Sequence, residues 1–322
     1  MRHIQCKSAG FIFPGHFKIL QYCFLTFAAM LLPSCTYAQQ YDTVSIFRVP
    51  VQLDSFVVKS SFDVNAFIRR VRSDTTFYKA FKNMRLVPYM ADNDIRVFDK
   101  NNHVHASLKS RTKQITGKGC RSTKVLEEQT TGDFYKRDSD YRYYTAALYA
   151  HLFFAKEPVC NEDDIVAGEI NAPENGAMAK SVYQLKQLIF NPGSKVSGVP
   201  FMGDRASIFD AGEAEKYDFK ISLQSYDGEE CYVFRITPQK GYEHKTLYDE
   251  LTTWFRKSDL SIVARDYSLS YSTVVYDFNV RMKVRTTQVG GKLYPTYINY
   301  DGNWHVITKK RERVKFTTKV SY

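Results

Sequence analysis

The chain has 322 residues, of which 44% are hydrophobic and 15% aromatic, and its formal net charge is +11. This length is sufficient for a large buried core, built as one β-rich domain or two smaller units. The basic excess is spread along the chain, and a solvated basic surface explains it as well as an acidic partner does.

The amino terminus predicts export. Three cations and no acidic residue precede the apolar run 23–35, which is shorter than the about 20 residues that a membrane span needs. Thr36 and Ala38 occupy the positions that a signal peptidase reads, so we predict cleavage before Gln39 and a signal peptide over 1–38.

A second interpretation of the same segment is a lipoprotein signal. Residues 32–35 form a loose lipobox, in which Cys35 would be lipidated and would hold the mature chain on a membrane surface. No other stretch has the length and apolarity of a span, so we predict no transmembrane segment in the mature chain. We place it in the periplasm or at the outer-membrane surface.

Cleavage leaves three cysteines, and the compartment to which the protein is exported permits disulfides. Cys120 and Cys160 lie in polar, loop-like contexts, whereas Cys231 lies within an apolar strand. We therefore favour a bridge between Cys120 and Cys160 and a packed thiol at Cys231, although spacing alone leaves other pairings open.

The first part of the chain mixes strands and helices. Short β-branched runs predict one or two strands, helical spacing predicts three helical regions, and an Asn-Asn pair marks a hairpin turn. In chain order we predict strands in 42–59, two short helices or one kinked helix in 60–85, a hairpin over 94–114, a polar loop over 115–137, and helices over 140–155 and 177–190.

From Tyr217 onward the apolar pattern has a period of two. Asp227-Gly228, Gly290-Gly291 and Asp301-Gly302 are strong two-residue hairpin signals. About eight strands with short links therefore predict an antiparallel meander. One of them, 274–284, is apolar on alternate residues and carries largely basic residues between them.

A sheet with one apolar face needs a cover. We predict an α+β fold in which a long antiparallel meander is curved as a half-barrel and the helices cover its apolar face. The chain after the leader, 39–322, is predicted to be a single domain, with a helix-containing part over 39–216 and the meander over 217–322.

The strand sequence also resembles a known family. The run WFRKSDLSIVARDYSLSY, followed by DFNVRMKV and YPTYINYDGNWHV, is similar to the incurved β-sheet superfamily of lipoprotein carriers and related lipid-binding envelope proteins. It also resembles exported proteins of Gram-negative bacteria. This resemblance implies a half-barrel with a helical lid that holds acyl chains, and it carries over no individual functional residue.

We therefore expect an exported envelope protein, not an enzyme, that binds a lipid, lipoprotein or other hydrophobic ligand between sheet and helices. We predict no catalytic residue, metal or cofactor. A hydrolase or metalloenzyme stays open only through His103 and His105, which share one strand face and can ligate zinc or copper if a third ligand comes from elsewhere in the chain. We expect the ligand to be lined by six residues. These are Phe67, Phe77, Tyr276, Phe278, Val280 and Met282.

The alternative is a structural or interaction protein of the cell envelope, whose basic surface meets an anionic envelope polymer. In an intracellular protein the same charge would suggest nucleic acid. After export, anionic lipid head groups and cell-wall polymers are the available partners, so we expect no nucleic acid.

Overall fold

The computed structural model describes residues 43–46, 49–58, 62–155, 157–161, 188–194, 205–274, 276–306 and 309–322. The predicted signal peptide and most of the predicted helix 177–190 lie outside these residues. The described residues from 43 onward belong to one compact unit.

The described residues form one sheet and several short helices. The strands are β1 Thr43–Ile46, β2 Val49–Leu53, β3 Tyr89–Phe98, β4 Val104–Gly117, β5 Cys120–Thr131, β6 Val159–Cys160, β7 Tyr217–Tyr226, β8 Glu229–Pro238, β9 Tyr248–Arg256, β10 Ile262–Ser272, β11 Tyr276–Val289, β12 Lys292–Val306 and β13 Lys309–Ser321. The helices are α1 Ser55–Val58, α2 Val64–Ser73, α3 Thr76–Leu86, α4 Tyr144–Phe153 and α5 Ala211–Ala214, and residues 188–190 form a further helical turn.

The sheet is a long, open meander. Its order is β1-β2-β7-β8-β9-β10-β11-β12-β13-β3-β4-β5-β6, and within the described residues the two edge strands β1 and β6 do not pair. Neighbouring strands are antiparallel except β2 and β7, which are parallel. The molecule is therefore an α+β half-barrel, as the strand pattern predicts.

Alternation along the strands gives the sheet one apolar and one polar face. In β3 every second residue from Tyr89 is buried, and in β11 Phe278, Val280, Met282 and Val284 are buried while the residues between them are not. The apolar face forms the core, and the helices pack on it.

Two separate helices, α2 and α3, occupy the region where one kinked helix was the alternative. Asp63 caps α2 by accepting a hydrogen bond from the Ala66 amide at 2.9 Å, which satisfies an otherwise unpaired helix donor. At the other end of the pair, Asn83 of α3 donates to the Leu293 carbonyl at 3.0 Å. Phe67 of α2 packs on Phe234 of β8 and Phe255 of β9, so the α2–α3 pair extends from these strands to β12.

The prediction of a loop over 115–137 is wrong for much of its length. Residues up to Gly117 extend β4, and Cys120–Thr131 form β5, which pairs with β4 along its whole length. Most β5 side chains are exposed, so this strand has no apolar alternation, and only its pairing with β4 defines it.

The predicted turn at Asp301-Gly302 is also wrong, because β12 runs straight through both residues. Gly302 pairs with Val280 on one side and Val314 on the other. A Cβ atom at Gly302 would lie 2.0 Å from the hydroxyl oxygen of Tyr300. The glycine therefore makes room for a buried aromatic ring, and the meander from Tyr217 has seven strands rather than eight.

The predicted disulfide is confirmed, since Cys120 and Cys160 are bonded and join β5 to β6. The bridge closes a loop with a sequence separation of 40 residues. Cys231 is a free thiol with no solvent exposure, as its apolar strand context predicts.

Candidate functional site

The structure distributes the six predicted ligand-lining residues over two regions of the apolar face. Phe67 lies on α2, and its ring centroid is 5.1 Å from that of Phe255 and 6.0 Å from that of Phe234. Phe77 lies on α3, 5.5 Å from Phe81. Both are almost fully buried, so these two residues form packed helix–sheet core over β8–β10.

The other four predicted residues belong to β11. Phe278 packs on Trp304 with a centroid separation of 4.8 Å, and Val280 and Met282 are at most 1% exposed. Tyr276 begins the strand and pairs with Val306, while its side chain lies outside the described residues. Of the six, Met282 lines an apolar cavity.

This apolar cavity, termed cavity A, lies between α4, the helical turn 188–190 and the strands β11–β13. Its volume is about 20 Å³, close to the space that one water molecule occupies. Its lining is almost entirely apolar: Thr145, Leu148, Tyr149, Leu152, Phe153, Ile189, Phe190, Met282, Ile298, Tyr300 and Phe316. The predicted cleft is therefore filled by helical side chains in this structure.

A second small apolar cavity, cavity B, lies on the same face over β3–β5. Its volume is also about 20 Å³, and its lining consists of Ile95, Leu108, Thr123, Val125, Glu128, Tyr141 and Phe154. Phe154 directly follows α4, whose preceding residues line cavity A. Because β13 pairs with β3, α4 separates two cavities that lie on one continuous apolar surface.

Two polar contacts hold α4 on the sheet. At its start, Glu312 of β13 accepts hydrogen bonds from the amides of Tyr144 at 2.7 Å and Thr145 at 2.9 Å. A carboxylate at this position satisfies free amides and complements the helix dipole. Burial, followed by the charge of Glu312, raises the pKa of Tyr144 to about 12.

The second contact is a buried hydroxyl in the middle of α4. Tyr149 donates to the side-chain oxygen of Asn93 at 2.6 Å and also contacts the Thr318 hydroxyl. Burial raises the pKa of Tyr149 far above its usual value, so the hydroxyl stays protonated. Elsewhere α4 is held by apolar contacts, such as Tyr149 against Phe316 at 4.5 Å.

The helical turn 188–190 is wedged between two helices. Phe190 packs on Phe81 of α3 at 4.5 Å and on Phe153 of α4 at 6.2 Å. Tyr267 of β10 donates to the carbonyl of Ile189. This turn therefore connects the α2–α3 pair to α4 across the apolar face.

The cations on the apolar face lie outside both cavities. Arg265 stacks over the Phe77 ring at 4.4 Å and donates to Thr253, and burial lowers its pKa to about 10. Burial and then the charge of Arg121 lower the pKa of Arg85 to about 9. Neither Arg85, Arg121 nor Arg265 lines cavity A or cavity B, so the surface around α4 favours an apolar ligand.

The polar face of the sheet is less basic than the sequence of β11 alone predicts. The strand register places Lys283 opposite Asp266 and Arg281 opposite Asp301. Asp266 forms an ion pair with Arg285. Acidic residues of the neighbouring strands therefore offset much of the positive charge of β11.

A groove of about 470 Å³ remains on this polar face. Its cationic lining residues are Arg281, Arg313 and Lys315. Lys315 pairs with Asp301 at 3.0 Å, and Arg313 donates to the Asp99 carbonyl. Among the described residues, neither Arg281 nor Arg313 forms an ion pair, so the groove offers these two cations to an anion.

The paired histidines do not form a metal site with other described residues. His103 is largely exposed and lies 3.6 Å from Asp99. No group of three His, Cys, Asp or Glu side chains within the described ranges is arranged to hold a metal ion. Among the same residues, no helix combines the length and apolarity needed to cross a bilayer.

No protein-family model and no curated protein matches the chain. Three solved structures are similar to it. An outer membrane lipoprotein-sorting protein domain from Vibrio parahaemolyticus has a TM-score of 0.24 and 10% identity, and the alignment covers 80% of this chain and 88% of that one. A DUF1329 family protein from Desulfovibrio piger has a TM-score of 0.23 and 14% identity over 80% and 89% of the two chains.

The third is a LolA superfamily protein from Nitrosomonas europaea, with a TM-score of 0.23, 12% identity and coverage of 77% and 90%. Similarity at these TM-scores and identities carries no information about the ligand of this chain.

Proposed function

We propose that the protein is an exported, non-enzymatic envelope protein that binds a hydrophobic ligand, such as the acyl chain of a lipid or lipoprotein, against the apolar face of the sheet. The observation that supports this most directly is the position of α4 between cavity A and cavity B. If α4 moves away from the sheet, the two cavities become parts of one apolar surface over β11, β12, β13, β3, β4 and β5.

The energetics are compatible with a ligand that replaces α4. Burial of each methylene group stabilises a complex by about 0.8 kcal/mol, and burial of one large apolar side chain by about 1.5–3 kcal/mol. The large apolar side chains that α4 places over cavity A are Leu148, Tyr149, Leu152 and Phe153. Exposing these four costs about 6–12 kcal/mol, which an acyl chain of roughly fifteen methylenes offsets with about 12 kcal/mol. The two polar contacts of α4 add a cost that keeps the empty protein closed.

Export is part of this proposal. We propose that residues 1–38 are removed as a signal peptide and that 39–322 act as a single domain, with lipidation at Cys35 as the alternative. The disulfide between Cys120 and Cys160 supports an oxidising compartment, since such bonds are rare in the cytosol.

The test compares a variant of α4 with a matched variant elsewhere. Tyr149→Phe removes the hydroxyl that contacts Asn93 and Thr318, and a hydrogen bond contributes about 1 kcal/mol. If α4 must leave the sheet before a ligand binds, this loss makes α4 easier to displace, and the affinity of the protein for a hydrophobic dye rises about fivefold. The control, Tyr217→Phe, removes another buried hydroxyl, which contacts the Tyr248 amide at 3.3 Å, and leaves dye affinity unchanged.

Native mass spectrometry and lipid extraction provide the direct measurement. We expect the protein purified after export to carry acyl chains or to take them up from vesicles. A protein that is empty, does not bind the dye, and responds equally to Tyr149→Phe and Tyr217→Phe contradicts the proposal.

The second candidate function is binding of an anionic envelope polymer by the polar face. The groove lined by Arg281, Arg313 and Lys315 favours it, although two of these cations already have described partners. This function requires binding that weakens as salt is added. Binding of a model polyanion that is unchanged by Arg281→Gln or by high salt contradicts it.

A further inference from the structure

A further surface lies at one end of the sheet, where the β4–β5 and β11–β12 turns and the end of α3 meet. Four exposed apolar residues lie there: Leu86 is 51% exposed, Ile115 47%, Val289 54% and Tyr322 44%. Large apolar side chains are rarely grouped on a free surface without a partner. We call this surface the turn end.

Specific contacts connect the elements of the turn end. Gln114 donates to the carbonyls of Met84 at 2.9 Å and Val87 at 2.6 Å, which places the end of α3 beside the end of β4. On the other side, Asn83 of α3 donates to the Leu293 carbonyl at 3.0 Å. The end of α3 therefore bridges the last residues of β4 and the first residues of β12.

Tyr322, the residue that follows β13, belongs to the same surface. The Tyr322 hydroxyl donates to the Pro295 carbonyl at 2.7 Å. Its ring lies 5.0 Å from Tyr294 and 6.0 Å from Tyr89. Tyr322 thus packs between β12 and β3, next to the end of α3.

The four chain segments that form the turn end carry charge of one sign. Residues 83–91, 112–126, 286–300 and 316–322 contain no Asp or Glu. Lys113, Lys118 and Lys292 are exposed and form no ion pair with a described residue. Long lysine side chains keep their charge in water while their stems cover apolar surface.

Three carboxylates on the β9–β10 side of the turn end are already paired. Glu229 and Asp259 both pair with Arg256, at 2.6 Å and 3.6 Å, and Glu230 pairs with Lys257 at 2.9 Å. An acidic run at 162–164 follows β6 in the sequence and lies outside the described residues.

The two turns present their residues on a tight backbone. Gly290 and Gly291 adopt φ of 57° and 76°, and Lys118 and Gly119 adopt φ of 52° and 74°. These left-handed backbone conformations favour Gly and are typical of two-residue hairpin turns, which connect paired strands directly. Val289 and Lys292 flank the first turn directly and pair with each other.

We propose that the turn end docks on an anionic phospholipid surface. Exposed Leu, Ile, Val and Tyr side chains surrounded by lysines combine apolar insertion at the interface with attraction to acidic head groups. The positive sign of the turn end selects an anionic over a zwitterionic surface. This proposal is independent of the ligand proposed at α4, because none of the four exposed apolar residues lines cavity A or cavity B.

The test measures cosedimentation of the exported protein with vesicles of phosphatidylcholine alone and of phosphatidylcholine mixed with phosphatidylglycerol. Each lysine near such a surface contributes about fivefold in affinity, so Lys113→Gln with Lys292→Gln weakens binding to the anionic vesicles by about 25-fold. The matched control is Lys240→Gln with Lys245→Gln, which removes the same charge from the connection between β8 and β9 at the opposite end of the sheet.

An apolar pair of variants separates insertion from charge. Val289→Ser weakens binding to anionic vesicles several-fold, whereas Val274→Ser, at a position that is 92% exposed in the β10–β11 connection, does not. All variants share one amino terminus, confirmed by mass spectrometry, and circular dichroism verifies their fold.

Three results overturn the proposal. The first is a wild-type protein that does not bind anionic vesicles, and the second is an equal loss of binding in the control variants. The third is a change of oligomeric state in Val289→Ser without vesicles, which identifies the turn end as a self-association surface. Dye affinity at α4 is measured in parallel, and it is unchanged by the turn-end variants if the two sites are independent.

Discussion

The clearest consequence of the structure for stability concerns Gly302. A Cβ atom added at this position lies 2.0 Å from the hydroxyl oxygen of Tyr300, 2.2 Å from Cζ and 2.5 Å from Cε1. These distances are far below van der Waals contact, and two of the three atoms belong to the ring itself. Gly302→Ala therefore forces the whole ring of Tyr300 to leave its site.

The cost follows from what Tyr300 contacts. Its ring is 2% exposed and is stacked on Phe316 at 4.8 Å with an interplanar angle of 7°, and its hydroxyl accepts from the Trp304 indole. Removing a buried aromatic ring costs about 3–5 kcal/mol. Alanine recovers about 0.5–1 kcal/mol because it loses less backbone entropy than glycine. We therefore expect Gly302→Ala to lower the free energy of unfolding by about 2–4 kcal/mol.

A double-mutant cycle measured by urea denaturation checks the cause. In a Tyr300→Ala background the ring is already absent, so Gly302→Ala should have no cost and should recover about 0.5–1 kcal/mol. Gly212→Ala is a control, since a Cβ there meets nothing within 4 Å. If the effects of Gly302→Ala and Tyr300→Ala are additive, the two residues do not compete for space and the reasoning is wrong.

The disulfide and one surface ion network give two further predictions. Replacing both disulfide cysteines, Cys120→Ser with Cys160→Ser, should lower the free energy of unfolding by about 4 kcal/mol, as expected for a closed loop of this length. The control is Cys231→Ala, which keeps the disulfide, so its thermal unfolding midpoint should still fall when reductant is added. If reductant leaves the midpoint of the wild-type protein unchanged, the expectation is wrong. The hydrogen bond from Arg311 lowers the pKa of Asp277, although partial burial acts in the opposite direction. The ionised carboxyl therefore stabilises the fold at pH values above the usual carboxyl pKa. This stabilisation is lost as the pH falls through the lowered pKa. Asp277→Asn should therefore lower the free energy of unfolding by at most about 1 kcal/mol near neutral pH, because the ion pair is partly solvated. At a pH where the wild-type carboxyl is protonated, the variant and the wild type should be equally stable. A loss of stability that persists in acid would show that the charge of Asp277 is not the cause.

The proposed ligand site and the proposed membrane surface have a simple spatial relation. The turn end and cavity A share the strands β11, β12 and β13. Helix α3 belongs to the turn end through Leu86 and contacts the helical turn 188–190 through Phe81. A movement of α3 would therefore alter both the turn end and the lining of cavity A. Comparing dye binding with and without anionic vesicles measures that coupling directly.

Local patterns in the sequence were enough to predict many of the elements. The helical spacing of apolar residues predicted α2, α3 and α4, because each helix buries one face and the spacing of that face is a local property. Strict alternation predicted β11, and the Asp227-Gly228 and Gly290-Gly291 pairs predicted two of the tight turns. The polar contexts of Cys120 and Cys160 favoured the disulfide that the structure contains.

Other features depended on partners that are distant in the sequence. The strand β5 is exposed and polar, so only its pairing with β4 defines it. The Asp301-Gly302 pair reads locally as a turn, but ladders on both sides keep β12 straight. The basic side of β11 is offset because the register brings Asp266 and Asp301 beside it.

Helices with one apolar face and strands with two unlike faces can be predicted from the sequence, since both follow from the spacing of apolar residues along the chain. Which of those apolar residues surround empty space depends on how distant segments pack against one another. Phe67 and Met282 are equally apolar in the sequence, but Phe67 is enclosed by aromatic rings while Met282 borders cavity A beneath α4. A cavity depends on how side chains from distant segments fill the same volume, and the spacing of residues along a single segment carries no information about that volume.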